Sequence, residues 1–221
     1  MSRANSIIVA ILFLAAFVST AGAATTVTQV GDQLSVIGDD TDDSVYIYQI
    51  YYYDYWTWVY DDQTGIGDWY YGVNQVVVDT GNGSDYVNIY DYWSGYWYGG
   101  SADVQVLTGN EDDSVDIYDE GGRSFIDVST ENGQDSVSST SSYTYYYGYG
   151  GGIALDTGNG KDEVYANSYA DVLNIALANG NDVISGYASD SYGALDGGNG
   201  KDTCSGLAIS GGSLAVTNCE K

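Results

Sequence analysis

The chain has 221 residues, 31 acidic side chains, only five Lys and Arg, no His and no Pro, and its net charge is −26. A charge of this sign excludes nucleic acid as a natural partner, because phosphate contacts need Lys and Arg. The lack of His removes the commonest general base and any Ser-His or Cys-His nucleophile, so we expect no enzyme. A polysaccharide-active enzyme using acidic pairs such as Asp61–Asp62 or Asp112–Asp113 is the residual alternative.

The first 23 residues have the pattern of a secretory signal peptide. Arg3 supplies a positive charge, residues 7–18 are apolar, and Ala21, Gly22 and Ala23 form a small-residue cleavage site. The apolar stretch is too short to span a bilayer. We therefore expect a secreted or cell-surface protein of bacterial type, without a membrane span, whose mature part is one domain over residues 24–221.

A phrase of small residues followed by Asn-Gly-x-Asp-x-apolar returns seven times in residues 24–221, with variations. The copies centre on Asp43, Asp85, Asp113, Asp135, Asp162, Asp182 and Asp202. Alternating apolar residues precede and follow each turn, as in VVVDTGNGSDYV around Asp85. Strand, turn and strand repeated in this way predict an all-β fold, namely a parallel β-helix or β-roll-like solenoid of about seven coils.

Aromatic segments lengthen some repeats. They cover residues 46–62, 68–72, 86–100 and 143–152, in or beside which lie all five Trp and most of the 24 Tyr. We expect them as insertions at one corner of the coil. Tyr and Trp can simply fill a half-buried pleated surface, since both favour strands. Alternatively, they form an exposed face that binds carbohydrate or another surface.

The two cysteines, Cys204 and Cys219, lie close together near the C-terminus. An even number of cysteines in an exported protein favours a disulfide. We expect this bond to fasten a C-terminal cap over residues 204–221, because the end of a solenoid exposes an open edge.

The turn resembles the calcium-binding nonapeptide of the RTX (repeats-in-toxin) family, G-G-x-G-x-D-x-U-x, where U is a large apolar residue. The match is complete in Gly197–Cys204 (GGNGKDTC), and Thr replaces the first Gly around Asp85 and Asp162. In that family, turn carbonyls and the motif aspartate bind Ca²⁺ between coils. The resemblance therefore implies calcium ligands at the seven motif aspartates and at Asn82, Asn159 and Asn199.

Here the motif occurs once per 20 or more residues, whereas family members carry tandem copies. We therefore expect calcium-binding turns on only one edge of the coil. The turns also have a purely structural explanation, because Gly, Asn and Asp tolerate positive φ. The expected function is a calcium-binding structural or adhesive module at the cell surface or extracellular matrix. The alternatives are a carbohydrate-binding protein that uses the aromatic segments, and a self-associating fibre subunit.

Overall fold

The computed structural model describes residues 25–51, 55–93, 102–120, 125–141, 151–169 and 172–220. The predicted signal peptide lies outside these residues, as do most of the aromatic segment 143–152 and part of 86–100. The described residues contain 22 strands and no helix. The prediction of an all-β fold is confirmed.

The strands, numbered β1 to β22 along the chain, form three sheets within the described residues. Sheet A has nine, in the order β1 (Thr26–Val30), β2 (Gln33–Ile37), β6 (Gln75–Asp79), β8 (Asp103–Leu107), β10 (Phe125–Ser129), β13 (Gly152–Asp156), β16 (Val172–Ala176), β19 (Tyr192–Asp196) and β22 (Ser213–Thr217). Sheet B has nine, in the order β5 (Ile66–Tyr71), β4 (Tyr55–Asp61), β3 (Ser44–Tyr51), β7 (Tyr86–Trp93), β9 (Ser114–Asp119), β12 (Ser136–Ser141), β15 (Glu163–Tyr169), β18 (Val183–Ser189) and β21 (Thr203–Ser210). Sheet C has four short strands, β11 (Asn132–Gly133), β14 (Asn159–Gly160), β17 (Asn179–Gly180) and β20 (Asn199–Gly200).

Successive repeats alternate between the two large sheets. From β2 onward, each repeat contributes one strand to sheet A, passes through its motif turn, and enters sheet B, to which the first repeat contributes three strands and each later repeat one. Strands of neighbouring repeats pair in parallel, as β13 pairs with β16 and β15 with β18. These parallel-rich sheets are consistent with a β-solenoid.

The apolar residues on either side of each turn fill the space between sheets A and B. In sheet A the buried row includes Val36, Val78, Val106, Val128, Leu155, Ile175 and Leu195. In sheet B it includes Val45, Val87, Val115, Val137, Val164 and Ile184. The inward orientation predicted from the period-two pattern is confirmed at these positions.

The aromatic segment that begins at residue 46 does not form a corner insertion, as the sequence analysis expected. After β3 the chain turns back, and β4 and β5 extend sheet B as antiparallel strands. The cause is visible in β4, where inward Thr57 and Val59 alternate with outward Trp56, Trp58 and Tyr60. This pattern suits a strand, and the edge of β3 gives it main-chain partners.

At the other end, Cys204 and Cys219 form the predicted disulfide, with an S–S distance of 2.07 Å. The main-chain N–H of Glu220 donates to the Asp202 carbonyl at 2.7 Å, so the tail lies beside the last turn. No helix in the part of the chain that the structure describes is long and apolar enough to cross a membrane.

Candidate functional site

The Asn-Gly turns stack with their side chains in register on the surface. Each asparagine from Asn110 onward donates from Nδ2 to the Oδ1 of its predecessor, at 2.6–2.9 Å. Asn82 continues this asparagine ladder by donating to Oδ1 of Asp40. The ladder consists of Asn82, Asn110, Asn132, Asn159, Asn179 and Asn199, and it includes the three predicted calcium ligands Asn82, Asn159 and Asn199.

The glycine after each ladder asparagine is required by close stacking. A Cβ at Gly160 would collide with the carbonyl oxygen of Gly133, and a Cβ at Gly133 with that of Glu111. Glu111 is the exception in this row, and it has φ of 90°. That value lies in the region that favours glycine, so the third motif copy contains local strain.

The seven motif aspartates form a buried column, here called the aspartate column. It consists of Asp43, Asp85, Asp113, Asp135, Asp162, Asp182 and Asp202, all at most 3% exposed. The main-chain N–H of each aspartate except Asp202, the last one, donates to Oδ1 of the aspartate in the next repeat, at 2.7–3.0 Å. The motif aspartate thus satisfies a buried main-chain donor of its neighbour, which is a structural role.

The second carboxylate oxygen of each column member is buried with no hydrogen-bond partner within 3.5 Å, although nearby threonine hydroxyls lower the pKa of Asp85, Asp113, Asp135 and Asp162. These atoms are Oδ1 of Asp43 and Oδ2 of the other six aspartates. Burial is the main cause that raises the pKa of Asp43, Asp85, Asp113, Asp135, Asp162 and Asp182. The pKa reaches about 7 at Asp113 and about 6 at Asp43 and Asp182. A proton or a cation would satisfy the remaining oxygen.

The aspartate column brings the predicted metal ligands into line but does not gather them around one point. Among the described residues, no group of three or more acidic, His or Cys side chains is placed to hold a metal ion. Several turn carbonyls also accept main-chain bonds from the next repeat, as Gly158 does from Asn179 at 2.9 Å. Calcium binding stays a prediction.

Sequence reasoning missed a second column of buried polar side chains, at the far end of sheet B. It contains Gln49, Asp91, Asp119, Ser141 and Ser168, which are aligned in register between neighbouring strands. Each lies six residues after a motif aspartate, which is an inward position. A polar residue recurring at this fixed offset was the signal that could have revealed the column.

The outer surface of sheet B carries a continuous group of aromatic side chains on five adjacent strands, β5, β4, β3, β7 and β9. We call it the aromatic face. Its members are Tyr46, Tyr48, Trp56, Trp58, Tyr60, Trp69, Tyr71, Tyr86, Tyr90, Tyr92 and Tyr118. All alternate along their strands with inward residues. At about 4.8 Å between strands, the aromatic face spans about 19 Å.

Ring contacts cross every strand boundary of the aromatic face. Tyr48, Tyr90 and Tyr118 form a stack with 4.9 Å between successive ring centroids and 14° between planes. Around Trp56, the rings of Trp69 and Tyr71 make edge contacts at 6.5 and 5.0 Å. Such contacts hold each ring in a defined orientation, so the face is ordered before any ligand arrives.

The aromatic face is accessible and its phenol groups are oriented. Trp56 is 40% exposed and Trp69 is 48% exposed, so these tryptophans are not core residues. The hydroxyl of Tyr118 donates to Glu120 at 2.8 Å, and that of Tyr86 donates to Asp116 at 2.9 Å. The bond to Glu120 is the main cause that raises the pKa of Tyr118.

Among the residues that the structure describes, the charged groups that border the aromatic face are acidic. They include Asp62, Asp116 and Glu120 on or beside its strands. The basic side chains among the described residues, Lys161 and Lys201, lie in Asn-Gly turns of later repeats. The local electrostatics therefore disfavour an anionic ligand and admit a neutral or a cationic one.

Comparison with known proteins gives no relative from which a function could be transferred. No protein-family model, no curated protein and no solved structure matches the chain. Membership of the RTX family therefore stays a prediction that depends on the turn motif. The two features of the structure that bear on function are the aspartate column and the aromatic face.

Proposed function

We propose that this protein is a secreted β-solenoid that binds neutral polysaccharide through the aromatic face and so serves as an adhesive module at the cell surface or in the extracellular matrix. The observation that carries the proposal is the exposure of Trp56 and Trp69 within a ring array that crosses five strands. Exposed contiguous aromatic surface on a soluble domain typically marks an interaction site.

The chemistry of the aromatic face matches a sugar chain. The flat, apolar faces of pyranose rings pack against aromatic rings, while the ring hydroxyls find hydrogen-bond partners at the periphery. Tyr60, Tyr86 and Tyr118 present hydroxyls beside carboxylates of Asp62, Asp116 and Glu120. Aromatic side chains with a polar tip suit this mixed contact. The length of about 19 Å accommodates several sugar rings.

Intrinsic tryptophan fluorescence tests this function directly. The mature protein is titrated with cellohexaose and with chitohexaose, with polygalacturonate as the anionic comparator. We expect saturable quenching by at least one neutral oligosaccharide and none by polygalacturonate. The double variant Trp56→Ala/Trp69→Ala should weaken binding, measured by calorimetry, at least tenfold.

Tyr165→Ala is the matched control, because Tyr165 is exposed on the outer surface of the same sheet but outside the aromatic face. It should leave the affinity unchanged. Absence of binding to every neutral probe, or equal losses in Tyr165→Ala and the double variant, would refute the proposal.

Calcium binding is a second candidate, supported by a different observation. Each member of the aspartate column keeps one buried oxygen without a hydrogen-bond partner, and the chain has a net charge of −26. Stacked carboxylates repel one another unless a cation or protons intervene. Bound calcium would stabilise the folded state by mass action.

Thermal unfolding at pH 8, followed by circular dichroism, tests the second candidate. If calcium binds, 5 mM CaCl₂, roughly five- to fifty-fold above the Kd of typical extracellular sites, raises Tm by several degrees over EDTA. Five millimolar MgCl₂ should raise it less. Coincident curves in calcium, magnesium and EDTA would assign the turns a purely structural role.

A further inference from the structure

The C-terminal end of the molecule leaves core positions uncovered. Ile209 of β21 is in register with buried Ala188, and Val216 of β22 is in register with buried Leu195. Both therefore occupy inward positions of the last repeat. Ile209 is nevertheless 45% exposed and Val216 is 44% exposed, because no strand of the described residues stacks on them.

The main chain is also open at this end. Within the described residues, β21 is the last strand of sheet B and β22 the last strand of sheet A. The tail covers only the start of β21, through a bridge between Thr203 and Glu220. The remaining edges present N–H and C=O groups that favour pairing with another strand.

The N-terminal end also leaves one inward apolar residue, Ile66 of β5, exposed, but its edge strands are protected. There β1 and β5 close the sheets, and their other inward positions include the polar side chains of Gln29 and Asp68. Oδ1 of Asp68 accepts from the main-chain N–H of Trp69 at 2.8 Å, and Nε2 of Gln29 donates to the Tyr71 carbonyl at 2.9 Å. These two side chains form hydrogen bonds with main-chain groups of β5, which are then less available to pair with a strand of another molecule.

Charge separates the C-terminal end from the rest of the surface. Residues 203–219 contain no charged side chain, although the whole chain has a net charge of −26. Elsewhere two copies would repel each other. At this end the acidic neighbours are Asp190, Asp196 and Glu220, so repulsion between copies is reduced but not removed, and uncovered apolar residues supply attraction.

We propose that the C-terminal end is a dimer interface, and that its occupant is the C-terminal end of a second copy of this chain. A two-fold axis perpendicular to the strand stack would place β21 against β21 and β22 against β22, each pair antiparallel. This isologous arrangement covers Ile209 and Val216 of both copies at once and leaves no open end for further growth. The inference does not depend on polysaccharide binding.

Sedimentation velocity of the oxidised mature protein in 0.15 M NaCl tests the interface, since this salt concentration reduces the screening length to about 8 Å. We expect a reversible dimer. Ile209→Lys and Val216→Lys should each raise the dimer Kd at least tenfold. Ile66→Lys is the matched control, because Ile66 is 69% exposed at the N-terminal end.

Each pattern of results has one meaning. Loss of the dimer in Ile209→Lys and Val216→Lys, with Ile66→Lys unchanged, supports the proposal. A monomeric wild type at 100 µM overturns it, as does equal loss in all three variants, which would indicate head-to-tail contact. Far-UV circular dichroism and an intact Cys204–Cys219 bond establish that each variant is folded.

Discussion

The aspartate column lies in the turns that lead into sheet B and the aromatic face lies on strands of that sheet, but the two follow opposite rules. Members of the column recur in every repeat, are buried, and bond to the main chain of their neighbours. Members of the aromatic face cluster on five strands near the N-terminal end and are half-buried or exposed. In this chain, a residue that recurs in every repeat therefore has a structural role. Aromatic residues that occur on only some strands form a surface available for binding.

The strongest test of this contrast is removal of one column member. Asp162→Ala leaves the buried N–H of Asp135 without its acceptor and creates a cavity. We expect a loss of about 3 kcal/mol in the free energy of unfolding, measured by urea denaturation at pH 5. Glu163→Ala, the exposed neighbour, also removes one carboxyl group and should cost less than about 0.5 kcal/mol. Equal losses of unfolding free energy in the two variants would show that the hydrogen bond within the aspartate column is not the main contribution of Asp162.

The ionisation of the column gives the next largest effect. The folded pKa of Asp113 is about 7, against an ordinary value of 3.8. A raised carboxyl pKa means that the folded state binds more protons, so stability is greatest below pH 4 and is lost as pH rises through 7. Asp113→Asn keeps an acceptor for Asp85 and cannot ionise.

We therefore expect Asp113→Asn to be close to wild type at pH 4 and more stable by about 2 kcal/mol at pH 8. Thermal and urea unfolding at both pH values measure this. Asp112→Asn, in an exposed position of the same turn, is the control. It should change the pH dependence much less than Asp113→Asn, because Asp112 contributes only a small part of the raised pKa of Asp135. Parallel pH profiles for wild type and Asp113→Asn would contradict the assignment.

A smaller gain should follow from replacing Glu111. This residue has φ of 90° at a position where five other copies have glycine and the first copy has Thr41. Glu111→Gly should stabilise the fold by about 1 kcal/mol, because glycine adopts this conformation without strain. Glu131→Gly is a useful comparison, since Glu131 also has positive φ, of 61°, closer to the ordinary left-handed region. A destabilised Glu111→Gly variant would show that the side chain has an unrecognised contact.

The smallest effect on stability should come from the aromatic face. Trp56→Ala/Trp69→Ala removes large rings, yet both are partly solvated and contribute nothing to the buried core. We expect a loss of about 1 kcal/mol or less, measured by urea denaturation, alongside the large loss of oligosaccharide binding. A loss as large as that of Asp162→Ala would place the tryptophans among the structural residues and erase the contrast.

Much of the repeat architecture could be predicted from sequence, because short-range periodicity determines it. The alternation around Val76 and Val87 gave the inward rows, and the pair of cysteines gave the disulfide. The phase of the motif also places Tyr46 and Tyr48 outward once Val45 is inward.

Other features depend on contacts between segments that are distant in the sequence, and the repeat pattern does not show these contacts. The β4–β5 hairpin exists because the edge of β3 was available, and a sequence pattern does not show which edges are open. Whether Trp56 is exposed depends on what packs over sheet B. The aspartates were predicted as metal ligands from a resemblance, whereas their main-chain acceptor role depends on the stacking distance between repeats.

The bonds of the aspartate column all point the same way, from the N–H of one repeat to the carboxylate of the next. In the aspartate column, each repeat therefore depends on its successor for this acceptor, whereas the asparagine ladder bonds each repeat to its predecessor. If the chain leaves a secretion channel N-terminus first, each repeat can form its column bond only after the next repeat has also left the channel. The most recently formed repeat would keep the main-chain N–H of its motif aspartate unpaired until the following turn emerged. The aspartate column would therefore assemble in one direction, from the N-terminus to the C-terminus, during export.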